Sequence, residues 1–187
     1  MRQADIDTFV DSAGWSDTLT PREVTAAVAK GIPVNGLRSN WAATALYRAV
    51  RLGRREMVVA LLAVGADPNA EIMRAIVWWA ASDSTADILQ LLINSGGSIN
   101  GEKTEDDETP LIALVRHIHG DAAARLEMLL AQPELDLDVK YYGRTAERWA
   151  MHKRHAELAA AIATERRRRM RYGVLRSAWI AAIAFSS

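Results

Sequence analysis

Short blocks of apolar residues recur along the chain at a spacing that fits paired helices. Met57, Val58, Leu61 and Leu62 fall at i, i+1, i+4 and i+5, the stripe that a helix buries on one side. The preceding block, Thr44-Ala45-Leu46-Tyr47-Arg48-Ala49-Val50-Arg51-Leu52, predicts a shorter helix. Gly53 and Gly65 close the two blocks, where a chain leaving a helix needs a left-handed residue. Asp67-Pro68-Asn69 then supplies turn chemistry into an extended finger.

The pattern repeats. A shift of 31 residues lays Ala49 on Ala80, Val58 on Leu89, Leu61-Leu62 on Leu92-Ile93, Gly65 on Gly96 and Asn69 on Asn100. A third copy starts at Thr109-Pro110-Leu111 and carries Leu126, Leu129 and Leu130 in its second helix. Its closing turn runs from Gln132 to Val139. A fourth starts at Gly143-Arg144-Thr145-Ala146 and continues through Ala150, Leu158 and Ile162. Ahead of all four, Val24 to Gly31 with Ile32-Pro33-Val34-Asn35 reads as the back half of a degenerate opening unit. Asp5, Asp7, Asp11 and Asp17 around Ile6, Phe9, Val10 and Trp15 read as a polar opening cap. A single helix pair cannot bury its own apolar stripe, so the units must stack and share one core. Small residues such as Ala49, Ala80 and Ala113 let the short helices approach closely.

This pattern resembles the ankyrin repeat family. The residues that carry the likeness are Thr44-Ala45-Leu46, Thr109-Pro110-Leu111, the Leu61-Leu62 and Leu129-Leu130 pairs, and Gly65-Ala66-Asp67-Pro68-Asn69. It covers roughly Thr20 to Glu165. The chain departs from the family pattern in several places. Tyr47, Trp78, Ile112 and Arg148 stand where the family has a histidine at the helix start, Ala75-Ile76 replaces Thr-Pro, and Glu147 replaces a leucine. The resemblance implies an all-α ankyrin-repeat solenoid of stacked helix-turn-helix units with short β-hairpin-like fingers. Residues 1–172 form the repeat domain: an opening cap over about 1–36 and repeats over about 37–70, 71–101, 102–140 and 141–172. Residues 173–187 form a C-terminal tail or capping helix.

The resemblance also implies function: a non-enzymatic module that binds another protein through its concave face and finger tips. Carried over unit by unit, the contact positions are Asn40, Trp41, Arg51 and Leu52 in the first copy. Glu71, Ile72, Arg74, Trp78 and Ser82 follow in the second, and Asp106, Asp107, Glu108 and Arg116 in the third. Tyr141, Tyr142, Arg144, Arg148 and His152 are those of the fourth. Tryptophan, tyrosine and arginine are the residue types that dominate interface energies. Against this, Trp78 and Trp79 are adjacent on one helix and cannot both face the same side, so at least one of them is expected to fill core space.

Charge alters the picture at two places. Net charge is zero overall, but residues 141–187 hold ten basic and three acidic side chains, a net +7 against −7 in the rest. The run Glu102-Lys103-Thr104-Glu105-Asp106-Asp107-Glu108 has net −4 and reads as a solvated finger or a docking point for a basic segment. The run Arg166-Arg167-Arg168-Arg169-Met170-Arg171 reads as a charged helix end that closes the stack; contact with nucleic acid phosphates is the rarer alternative. Leu175, Trp179, Ala182 and Ile183 share a helical face. The tail is therefore a capping helix, a recruitment element for a second protein, or a membrane-surface contact.

Chemistry is sparse. With no cysteine there is no disulfide and no thiolate metal site or nucleophile, which suits a reducing cytoplasm, with the nucleus as an alternative. No G-x-S-x-G or phosphate loop occurs, and Gly96-Gly97 closes a helix instead of opening one. His117, His119, His152 and His155 lack a recognisable carboxylate spacing for zinc, and the acidic run lacks a calcium-loop pattern. No cofactor, small-molecule substrate, secretory leader or membrane span is expected.

Overall fold

The computed structural model describes residues 2–14, 19–39, 43–70, 74–101 and 108–184, the last twelve by their backbone alone. Among the described residues there are ten α-helices and no β-strand. They fall into five consecutive pairs: α1 (Gln3–Gly14) with α2 (Pro21–Ala29), α3 (Ala45–Arg51) with α4 (Arg55–Ala63), α5 (Ile76–Asp83) with α6 (Ala86–Asn94), α7 (Pro110–Arg116) with α8 (Ala122–Leu130), and α9 (Ala146–His152) with α10 (Ala156–Ala184). The odd-numbered helices pack on one another in order, and so do the even-numbered ones from α2 to α10. The molecule thus has an inner row and an outer row of helices, stacked side by side.

Each inner helix starts for a local reason. The hydroxyls of Thr44, Thr109 and Thr145 accept hydrogen bonds from the backbone N–H of Tyr47, Ile112 and Arg148, satisfying donors that the first turn leaves open. In α5 the cap position is Ala75, which has no such oxygen. Ala49, Ala80, Ala113 and Ala150 are fully buried, so the inner helices meet at small residues. On the outer row, Met57, Val58 and Leu61 are buried and Leu62 is half-buried. Gly65 and Gly96 leave α4 and α6 at φ 88° and 84°, in the left-handed region expected of them.

The recurring asparagines have a structural reason. The Asn69 amide donates to the Gly96 carbonyl at 2.8 Å and accepts from the Ser98 N–H at 2.7 Å. Asn100 does the same to Glu134 and Asp136, at 2.9 and 2.8 Å, and Asn35 accepts from the Asp67 N–H at 2.8 Å. Each asparagine bolts the turn after one outer helix to the turn after the next. Asn69→Ala is therefore expected to remove both bonds and cost about 1–2 kcal/mol. Thermal denaturation should show a lowered midpoint, while Arg55→Ala, which removes an exposed ion pair to Asp87, should move it little.

Two parts of the sequence reading change, at the opening and at the tail. The opening segment is a complete helix pair instead of a back half with a polar cap: α1 packs on α3 as an inner helix, with Phe9 and Val10 buried. Asp7 accepts from Ser39 and Asp11 pairs with Arg38, so these acids fasten the opening pair to the next unit. Trp15 and Asp17 lie outside the described residues.

The finger of the fourth copy, which lies wholly among the described residues, is hairpin-like. In the fourth copy Tyr141 and Arg144 exchange backbone hydrogen bonds of 3.0 and 3.1 Å across Tyr142 and Gly143, both at positive φ, giving an isolated bridge.

The tail does not begin a new element at Gly173. The backbone of α10 is helical for 29 residues and runs through that glycine, whereas α4, α6 and α8 have nine each.

The C-terminal arginines close the stack. Arg169 donates to the carbonyls of Leu130 and Gln132, at 3.0 and 2.8 Å, and to that of Leu135. Arg166 reaches the Leu137 carbonyl at 2.8 Å and pairs with Asp138 and Glu147. Glu165 holds Arg168 and Arg169; their hydrogen bonds, Arg168's first, keep its carboxyl below the usual glutamate range against the opposing pull of burial.

Candidate functional site

The inner helices start from caps at Thr44, Ala75, Thr109 and Thr145, and two rows of side chains stand at fixed places relative to those caps. Just before the cap come Arg74, Glu108 and Arg144, and in the last turn come Arg51, Ser82, Arg116 and His152. Because the units stack in register, the cations of these rows meet the aromatic rings of their own unit or of the next one.

The result is a ladder of guanidinium groups over rings. Arg51 lies 4.4 Å from the centre of the Trp79 ring, donates to the Tyr47 hydroxyl at 3.2 Å, and thereby links α3 to α5. Arg74 lies 4.8 Å over Trp78. Arg116 sits 4.9 Å from the Tyr141 ring and 4.8 Å from the Trp149 ring, and Arg144 sits 5.1 Å over Trp149. Edge contacts join the rings Tyr47 to Trp79, Trp79 to Trp78, Tyr141 to Tyr142, and Trp149 to His152, and the His117 ring lies tilted 6.0 Å from that of Trp78. Each stacked cation at a partly exposed site contributes about 0.5–1 kcal/mol and holds the side chain in one place.

The centre of the ladder is neutralised from within. Glu108 is 5 % exposed and forms a close ion pair with Arg116, while His117 lies 3.7 Å from the same carboxylate oxygen. Glu108 was expected in the exposed acidic run; its place beside the cap turns it under Arg116 instead. Burial, with the hydrogen bond to Tyr142 next, pushes the Tyr141 phenol above its ordinary range, so it stays a neutral hydroxyl. The Trp149 indole donates to the Tyr141 carbonyl at 2.9 Å and locks the fourth finger to α9. The indole N–H groups of Trp78 and Trp79 are buried without a hydrogen-bond partner.

Of the residues marked in the sequence, Arg51, Arg74, Trp78, Arg116, Tyr141, Tyr142, Arg144 and His152 are brought together on this face. Trp78 is the more buried of the adjacent pair, 8 % exposed with Arg74 across its face, and Trp79 is half-buried. Tyr142 is 74 % exposed at the finger tip. Ser82, expected at the contact surface, is 2 % exposed and bonds back to the Trp79 carbonyl. Arg148 is not on the ladder; it lines a cavity of about 690 Å³ at the end of the stack with Lys140, Met151 and Arg166. Asn40, Trp41, Glu71, Ile72, Asp106 and Asp107 lie outside the described residues, as does the acidic run up to residue 107.

Sequence reasoning missed Trp149 and the ring roles of Tyr47, Trp79 and His117. Aligning the units on their caps would have shown Trp79 and Trp149 at the same place in their helices, one unit removed from Arg51 and Arg116 respectively.

Among the described residues no group of histidines and carboxylates is arranged to hold a metal, and no helix is long and apolar enough to cross a membrane.

The family model described as Ankyrin repeat matches residues 43–71, which span α3, α4 and the turn after them. No curated protein matches the chain. Residues 43–71 are an ankyrin repeat, and the helix pairs that recur on either side of them are consistent with a divergent ankyrin repeat protein.

Proposed function

We propose that this protein binds a protein partner through its inner-helix face, with the arginine–aromatic ladder as the contact surface. Ankyrin repeats are in general protein–protein interaction modules and non-enzymatic ones. The observation that supports this particular face is the concentration of interface-type residues on it. Arginines there are propped over rings, which lowers the entropy lost when a partner immobilises them. Among its described side chains the outer row offers less: the exposed large apolar ones are Val59 on α4 and Met170 and Tyr172 on α10. The cysteine-free chain would work in the cytoplasm.

A selection of binders from a displayed peptide library tests this reading. Peptides selected on the full chain should lose at least about tenfold in affinity for an Arg51→Ala, Tyr142→Ala variant. Their affinity should be kept by an Arg55→Ala, Val59→Ala variant on α4. The reverse order of sensitivity would place the contact surface on the outer row.

One observation favours an added adaptor role. The last outer helix is 29 residues long where the others have nine, and it projects past the arginines that close the stack. Removal of residues 173–187 that leaves the fold intact but abolishes capture of one partner would support recruitment by this arm; unfolding would make it a cap.

A further inference from the structure

We infer that the partner presents an extended acidic segment to this face; the inference rests on the inner-face reading above. The argument starts from how arginines are matched across the molecule. Away from the ladder many are satisfied within the fold. Arg38 and Arg48 approach Asp11, Arg55 pairs with Asp87, Arg125 with Asp121, and Arg166 with Asp138 and Glu147. Arg54 donates to the carbonyls of Ser12, Ala13 and Leu19. On the ladder, among the described residues, only Arg116 has a carboxylate, Glu108. Among the described residues no carboxylate reaches Arg51, Arg74 or Arg144, and each is parked over a ring.

An arginine over a ring keeps donors free along its edge, Arg51 giving one of its own to the Tyr47 hydroxyl, and such an edge matches a carboxylate with two parallel bonds. The face therefore presents three preset carboxylate receptors, Arg74 and Arg144 just before their caps and Arg51 in the last turn of α3. Inner helices pack about 9 Å apart, so the three steps from α3 to α9 cover about 27 Å. An extended strand rises about 3.3 Å per residue, so about eight residues span the row. Nucleic acid would also meet the cations, but its bases need open ring faces, and those of Trp78, Trp79 and Trp149 already carry guanidinium groups.

The test is fluorescence anisotropy with the full chain and three labelled probes: a nine-residue peptide of alternating glutamate and glycine, its glutamine counterpart, and a nine-nucleotide single strand of DNA. The glutamate peptide should bind about tenfold or more tighter than the glutamine peptide. An Arg51→Gln, Arg144→Gln variant should lose about tenfold of that affinity while staying folded by circular dichroism, its thermal midpoint lowered only by the loss of two stacked cations. An Arg167→Gln, Arg171→Gln variant, equal in charge but on α10, should keep it. Equal binding of both peptides, equal losses in the two variants, or tighter binding of the DNA would overturn the inference. So would failure of the glutamate peptide to bind. None of these outcomes touches the inner-face reading, which fails only if library-selected binders ignore Arg51 and Tyr142.

Discussion

Arg125→Ala is expected to destabilise the stack by about 3 kcal/mol, more than the loss of any exposed arginine. The side chain is fully buried on α8. Its guanidinium donates to the Ala81 carbonyl at 2.7 Å, which closes α5, and to the His119 carbonyl in the link before α8. It also pairs with Asp121 at 3.2 Å, and Asp121 in turn accepts from the Ala86 N–H that opens α6. One side chain therefore joins the end of an inner helix, the start of an outer helix and the connection of the following unit. Burial pulls its guanidinium below the ordinary arginine range, and Asp121 and Asp83 pull it back. Alanine would strand two carbonyls and leave a cavity at once. Lysine keeps the charge but cannot donate to both carbonyls and Asp121 in the same geometry, so Arg125→Lys should fall between alanine and wild type. Urea denaturation of the three proteins, compared by midpoint at constant slope, reads the order.

A comparable loss, about 3 kcal/mol, is expected for Leu89→Ala. Leu89 is fully buried in α6, in the middle unit of the five. Its removal opens a void between helices that pack on both sides of α6, namely α4 and α8. In a stack, a weakened interface is felt by both neighbours, so cooperativity should suffer along with stability. Leu62→Ala on α4 is the control: the side chain is half-buried, so less is lost. Denaturation curves should show a clear midpoint shift for Leu89→Ala and a smaller one for Leu62→Ala. Equal shifts would mean that α6 is not packed between its neighbours as described.

The parts of this fold that were legible in the sequence are those fixed by local chemistry. Threonine caps, glycines at left-handed turns, and alanines at the inner contacts each leave a residue-type signature at a set spacing. What spans two units was not legible. Asn35, Asn69 and Asn100 could be aligned as a register, but nothing in one unit shows that each asparagine bonds the turn of the next. Arg125 sits in Ala122-Ala123-Ala124-Arg125-Leu126, where a charged residue on an amphipathic helix reads as solvent-facing; in its buried place it donates to the Ala81 carbonyl a unit away. Glu108 looked like one acid in an acidic run, and only the partner Arg116 makes it internal. The opening helix α1 lacks the threonine start of α3, α7 and α9, so its role as an inner helix emerged from packing on α3. The ladder itself was half legible. Its arginines and tyrosines were marked by type, yet the pairing of a cation in one unit with a ring in the next needs the register of the caps. Arg148 shows the limit of marking by type, since it carries the same chemistry to the end of the stack and away from the ladder.

The central claim, that recognition takes place on the inner row, is tested most directly by mapping a bound peptide in solution. The chain has six tryptophans, and each indole N–H gives its own signal in a nitrogen–proton correlation spectrum. Titration with a library-selected binder should shift the indole signals of Trp78, Trp79 and Trp149, together with backbone signals near Arg51 and Tyr141 to Arg144. Signals from α4, α6 and α8 should stay in place. Shifts confined to those outer helices, with the three indoles unmoved, would contradict the account.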